Sequence, residues 1–510
     1  MTTKSPALVG ALAITLLTSL QPAAAADRAD PEFLPDPTGA IETVSDNGKI
    51  ATSGAFFQSL GTNGRTCATC HIASQAFGLS AAAAQIRFRL SAGHDALFAS
   101  VDGANCPGAP SNRQESHSLI LQSAVFRIAL QYPPAPPVNP QFTISVIHDP
   151  YGCALSPDPT TGQLNLSVYR RPLPTTNLSF LSAVMADGRE TIEPLTSESS
   201  FRANLIADLT HQAVDATMVH AEATRTPTAK QLTDIVNFEL GLYSAQGFDL
   251  RAGNLGPRGD RRGDRRGDSP SAEGGAVNVQ ALPYYPGIND SLGADPSGAT
   301  FNPTAMLMFA SWAKLPETFD FLEAGRNAAR REIAAGEALF NSAPMTITNV
   351  RGLNDNDALG RPASLVGHCT TCHDTPNVGD HSLPLPLDIG TSHSTLPGLE
   401  TDPAIVAALA QLSMPNLPVY LINGCSNPFN PTQPVSFYTT DPGKALLTGN
   451  CSDLNRIKGP ILRGLAARAP YFHNGAAANL LEVVNFYNQR FRMNLTESQK
   501  HALVAFLNAL

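Results

Sequence analysis

Two short segments carry the chemistry that this sequence can do. They are Cys67-Ala68-Thr69-Cys70-His71 and Cys369-Thr370-Thr371-Cys372-His373. A C-x-x-C-H run is the attachment signature of c-type haem: the two thiols add to the porphyrin vinyl groups, and the adjoining imidazole becomes the proximal ligand of the iron. A zinc ribbon would also show paired C-x-x-C motifs, but ~15–20 residues apart and without the trailing histidines. A thioredoxin-type redox pair would need a βαβ setting, and neither region reads as one. The sequence therefore predicts two covalently bound haem c groups, with Cys67, Cys70, Cys369 and Cys372 as attachment points and His71 and His373 as iron ligands.

The remaining cysteines are Cys106, Cys153, Cys425 and Cys451. Four thiols left over in an exported chain are most simply two disulfides, and sequence proximity favours Cys106–Cys153 and Cys425–Cys451. Export is read from residues 1–26. Lys4, an apolar stretch over 7–20 and a run of alanines at 23–26 together resemble a cleavable signal peptide. The apolar stretch is shorter than the ~20 residues that a membrane-crossing helix needs.

The elements that must position these residues read as follows. Of the 510 residues, 43% are hydrophobic and 15% charged, a balance that excludes wholesale disorder. Gly 39 and Pro 41 imply many loops, so the expected fold is mainly α: two cytochrome c-like haem domains with loop-rich insertions and little sheet. Each haem signature opens a domain, 27–320 and 321–510. Residues 54–60 and 336–340 read as the helices that lead into them. Thr228 with Gln231, and Thr496 with Gln499, form capping boxes ahead of apolar residues at helical spacing. Residues 251–275 alternate Arg, Gly and Asp with nothing apolar to bury, and read as a solvated insert. The net charge of −9 gives no reason to expect a nucleic-acid partner.

With both haem signatures placed, further landmarks come into register. Lys458-Gly459-Pro460-Ile461-Leu462-Arg463, Ala469-Pro470-Tyr471-Phe472-His473-Asn474-Gly475 and the run from Leu480 to Tyr487 are similar to the C-terminal haem domain of the bacterial di-haem cytochrome c peroxidases and the related MauG-type enzymes. Asp187-Gly188-Arg189-Glu190 and Gln212-Ala213 resemble the N-terminal domain more weakly. The segments near 104–170 and 374–455 are expansions that do not align.

The resemblance implies a division of labour. The C-terminal haem relays electrons, and the N-terminal haem offers an open face to peroxide. It places Tyr487 at the sixth-ligand position of the C-terminal haem, with Met414 and Met493 as competing ligands and a core aromatic role as the alternative. On the distal side of the N-terminal haem it implies Gln212 and, ten residues on, Glu222 as acid and base, with His220 between them. A polar helix face would account for the same residues. His94 is a possible sixth ligand in a resting state. The family's inter-haem tryptophan is replaced by Ala186, and the single tryptophan is Trp312. His473 would hydrogen-bond a propionate, and a calcium ion would be held partly by carbonyls near Pro470.

Together these readings imply a periplasmic peroxidase that takes electrons from a small cytochrome c or cupredoxin. The competing readings are a MauG-like or rubber-oxygenase-like oxidase acting on another substrate, and a di-haem electron carrier without catalysis.

Overall fold

Both capping boxes start helices. Thr228 and Thr496 accept hydrogen bonds from the amides of Gln231 and Gln499, and open the helices Ala229–Leu240 and Glu497–Asn508. The computed structural model describes residues 31–110, 112–134, 138–158, 161–192, 198–256 and 272–510. The leader at 1–26 and residues 257–271 of the charged insert lie outside them. Among the described residues, no helix is long and apolar enough to cross a membrane.

The C-terminal half is organised by its first and last helices. Asp320 caps the helix Phe321–Ser342 by accepting from the amides of Leu322 and Glu323. That helix packs against Glu497–Asn508 in a core containing Ile333, Phe340, Leu503 and Phe506. The crossing is close because position 336 is glycine: a Cβ there would lie 1.9 Å from the carbonyl oxygen of Ala502. The predicted helix at 336–340 is thus the last part of this long one. Residues 54–60 instead form only a single tight turn, Ala55–Phe57, which buries Phe56. Trp312 is fully buried in the same C-terminal core, with the Arg330 guanidinium 5.3 Å from its ring.

The expectation of a mainly α fold is overturned. Helix accounts for 33% of residues and strand for 16%, and the strands form five sheets among the described residues. Three of these sheets lie in the expansions that did not align. Thr143–His148 reads T-I-S-V-I-H, and alternate residues along it are exposed and half-buried, the period-2 pattern of a strand with one covered face. It pairs antiparallel with Val419–Asn423, which pairs on its other edge with Phe437–Thr439. One sheet thereby joins the two expansions across the boundary expected near 320. A composition rich in Gly and Pro signalled loops, but it could not separate coil from short strands joined by turns.

Both disulfides sit in these expansions, paired as sequence proximity favoured: Cys106–Cys153 closes a separation of 47 residues and Cys425–Cys451 one of 26. A second tie between the halves is Arg170. Its buried guanidinium bonds Asp187, in the Asp-Gly-Arg-Glu stretch, and Asp441, in the second expansion.

Candidate active site

The two C-x-x-C-H segments fold alike. Cys67–Cys70 is a single helical turn, and Cys369–Thr371 a slightly tighter one. In each, a threonine hydroxyl accepts from the amide three residues back: Thr69 from Thr66 and Thr371 from His368, both at 2.9 Å. The histidine amide then bonds back to the first cysteine, at 3.0 Å in both cases. His71 Nδ1 meets the carbonyl of Phe77 at 3.1 Å, and His373 Nδ1 meets that of Gly379 at 2.6 Å. A carbonyl can only accept, so Nδ1 carries the proton and Nε2 keeps its lone pair for a metal. Burial also lowers the basicity of both imidazoles, His71 to about 4. Burial raises the four thiols, Cys67, Cys369 and Cys372 to about 12 and Cys70 to about 11, which keeps them neutral. Neutral, sheltered sulfurs suit thioether links.

Around the first segment lies a cavity of about 200 Å³. Cys67, Cys70 and His71 line it, and Phe126, Leu178, Leu181, Leu209 and Ile461 supply apolar wall. One face of the segment after Leu209 also looks onto it, through Gln212, Ala213, Ala216, Thr217 and His220. This is a helical stripe. It runs along the helix Glu198–Asp215 and through the π-helical turn Ala216–His220 that continues it. An inserted π turn of this kind is frequent at functional sites.

His220 is held from behind. Its Nδ1 bonds Asp102, and Arg65 bonds the other oxygen of the same carboxylate. Burial alone would raise Asp102, but the hydrogen bond from His220 and the Arg65 guanidinium hold it below the ordinary carboxylate range. An ionised carboxylate only accepts, so His220 donates through Nδ1. Its Nε2 is then the ring nitrogen available to the cavity, and the side chain remains 35% exposed. The His220 carbonyl also accepts from Asn63 at 2.9 Å and Arg65 at 3.1 Å, fixing the backbone.

Glu222 is placed differently. It falls beyond the end of the stripe with φ of 53°, is exposed, and accepts from Asn63 at 3.0 Å. It does not line the cavity. The structure thus brings Gln212 and His220 together with His71, and leaves Glu222 at the surface nearby. His94 is exposed at the far end of the helix Ala81–Ser91 and also lies away from the cavity lining. Ala186 does line it.

The second segment has other neighbours. Cys369 and Cys372 pack in one apolar cluster with Tyr487, Phe491 and Met493. Tyr487 reaches this place from the helix Leu480–Arg490, which Asn479 caps. Burial raises the Tyr487 phenol well above its ordinary range, and both cysteines act in the same direction. Met414 packs in the adjoining cluster, with Phe472, Phe486 and Tyr487. His473 is buried, with Nε2 at 3.3 Å from the Ser392 hydroxyl. The carbonyls of Arg468 and Ala469, beside Pro470, accept from Arg171 and from the amide of Ala81.

Buried charge at the first cavity fits an anionic prosthetic group. Arg171 lines the cavity, yet its Nε has no hydrogen-bond partner among the described residues. Burial and the nearby Arg468 lower it to about 9. Lys458 also lines the cavity, and desolvation lowers it too. Cations left short of partners suit propionate carboxylates.

Sequence reasoning missed Arg65, Asp102, Arg171 and Glu239. Glu239 lines the same cavity, its Oε2 has no partner among the described residues, and burial pushes its carboxyl up to about 8. Arg65 stands two residues before Cys67, but Asp102 comes from a loop that no motif marks.

Against curated proteins, the chain is 33% identical over 156 residues to a protein named cytochrome-c peroxidase IdrP2 of Denitromonas iodatirespirans, covering 28% of this chain and 36% of that one. Over that stretch, this chain is similar to a bacterial protein named cytochrome-c peroxidase. A second protein named cytochrome-c peroxidase, IdrP1 of the same organism, is 37% identical over 81 residues, covering 14% of this chain and 22% of that one. The match to these peroxidases spans about a third of their length or less. No family model matches the chain.

Proposed function

We propose that this protein is an exported di-haem c-type peroxidase that reduces hydrogen peroxide at the N-terminal haem, with electrons delivered by a small cytochrome c or cupredoxin through the C-terminal haem. Its names among relatives point to cytochrome c peroxidase. The single observation that carries the reading is the His220 imidazole on the wall of the cavity that holds His71, oriented by a buried Asp102–Arg65 pair.

Reduction of hydrogen peroxide to two waters consumes two electrons and two protons. Bound haem would supply the electrons and a position for the peroxide, and solvent the two protons. The chain must supply the rest. His71 is held for coordination through Nδ1 by the Phe77 carbonyl. His220 takes a proton from the nearer peroxide oxygen at Nε2 and returns it to the leaving oxygen, a transfer that contributes ~10²–10⁴-fold when well placed. Asp102 keeps the ring in the tautomer that leaves Nε2 as a base, and steadies the imidazolium once it forms. Gln212, two turns earlier on the same stripe, offers an amide to the bound peroxide. The apolar wall excludes water that would weaken these interactions.

The test is turnover of hydrogen peroxide by the haem-loaded protein with a reduced small cytochrome c as donor. His220→Gln is expected to lower kcat/KM by ~10²–10⁴-fold while His71 coordination is retained. Turnover by His220→Gln equal to that of the parent protein would remove the imidazole from the mechanism.

A further inference from the structure

A second buried cluster lies behind the C-terminal haem segment and outside the machinery described above. It consists of Asp290, Asp374 and His381, which are 1%, 0% and 4% exposed. One oxygen of each carboxylate is fixed by backbone: Asp290 Oδ2 accepts from the amides of Leu292 and Ala294, and Asp374 Oδ1 from that of Ser382 at 2.7 Å. The other two oxygens, Asp290 Oδ1 and Asp374 Oδ2, have no hydrogen-bond partner among the described residues, and neither has His381 Nε2. These three atoms converge. His381 Nε2 is 3.3 Å from Asp374 Oδ2 and 3.9 Å from Asp290 Oδ1, and all three lie within 4.8 Å of one another.

We infer that Asp290 Oδ1, Asp374 Oδ2 and His381 Nε2 bind one divalent transition-metal ion. Two buried carboxylate oxygens and an imidazole nitrogen that make no hydrogen bond and meet only one another are costly to keep dry, and a dication would satisfy all three at once. The spacing fits, since ligands ~2.1 Å from a tetrahedral zinc ion stand about 3.4 Å apart. The outer shell is built as metal sites build it. His381 Nδ1 lies 3.2 Å from the Leu383 carbonyl and 3.3 Å from the Leu383 amide; in the tautomer that donates to the carbonyl, Nε2 is left as a ligand. The scaffold is held from two sides: Asn289 and Ser291 bond the carbonyls of Asp374 and Thr371 at 3.1 and 2.6 Å, and Ser182 bonds the His381 carbonyl at 2.7 Å. An imidazole among the ligands favours zinc or iron over the all-oxygen shells of calcium and magnesium. The site is therefore distinct, in place and in chemistry, from the calcium expected near Pro470. The ion would tie the segment around Asp290 to the loop that carries His373 and the Gly379 carbonyl that orients it. None of this depends on peroxide turnover.

The test uses the full haem-loaded protein, treated with chelator and then titrated with Zn²⁺. The expected result is one zinc per chain by calorimetry and elemental analysis. X-ray absorption at the zinc edge should show one nitrogen and oxygen neighbours at ~2.0–2.2 Å, without sulfur. Asp290→Asn and His381→Gln should each weaken binding by more than the ~10–100-fold cost of losing an outer-shell partner. His211→Ala, in the more exposed Glu190–His211–Asp215 group, should leave it unchanged. No stoichiometric zinc, sulfur in the coordination shell, or binding lost with His211 instead would each overturn the assignment. The absorption measurement needs only the parent protein, so it decides the matter even where a variant fails to fold.

Discussion

The two C-x-x-C-H segments are near copies up to their histidine and part company beyond it. Each places a threonine hydroxyl at the start of its turn and offers histidine Nδ1 a carbonyl six residues on. The first then faces a cavity with an oriented imidazole on its wall, whereas the second is packed with Tyr487, Phe491 and Met493. The same contrast recurs in two histidine–carboxylate groups. His220 has a single carboxylate partner, Asp102, and keeps a third of its surface open. His393, in the second expansion, is locked between Asp388 and Glu400 and is almost wholly buried. The motif sets the local turn and the histidine's carbonyl partner, while the elements packed around it make the two surroundings different.

The largest expected break in this contrast is at His220, where His220→Gln should cost ~10²–10⁴ in peroxide turnover and leave the visible spectrum of the C-terminal haem unaltered. Asp102→Asn should lower turnover by up to ~10⁴-fold, because the His220 ring then loses the partner that fixes its tautomer. Next is the disulfide Cys106–Cys153, four residues past Asp102, with a separation of 47. Replacing both cysteines by serine should destabilise the fold by about 4 kcal/mol on loop-closure entropy, read as a lower denaturation midpoint, and should loosen the loop that carries Asp102. His393 sharpens the comparison through pH. Burial opposes its charge, but Asp388 and Glu400 raise it to about 9 from 6.5. Its folded value lies above its unfolded one, so the stabilisation is complete below pH ~6.5 and is lost as pH rises through ~9, a change of roughly 3 kcal/mol. Melting temperatures measured from pH 6 to 10 should fall across that window and flatten in His393→Gln. Smallest in kinetic terms, Tyr487→Phe should change the electron paramagnetic resonance signal or potential of the C-terminal haem while peroxide still binds at the first. An unchanged signal would remove Tyr487 as a ligand.

The two C-x-x-C-H segments stood out in the sequence because their spacing is fixed, and both helices with capping boxes were legible because caps are local. The disulfide pairs followed from proximity in sequence. The sheets were not legible: Thr143–His148 finds its partner in Val419–Asn423, a pairing that no local pattern announces, and its short alternation was hidden among loop residues. The distal side was half legible. Gln212 and His220 share a stripe because the π turn carries the helical face past residue 215, yet the same geometry ends before Glu222. Asp102 and Arg65 act through contacts made only in three dimensions, so neither carried a signal of its own.

The central claim is that one haem site is open and the other filled. Carbon monoxide bound per chain of fully reduced, haem-loaded protein tests it most directly, in the parent and in Ala216→Phe, which narrows the first cavity. The account predicts one carbon monoxide for two haems in the parent and a marked loss of binding in Ala216→Phe. Two bound, none bound, or binding indifferent to Ala216→Phe would contradict it.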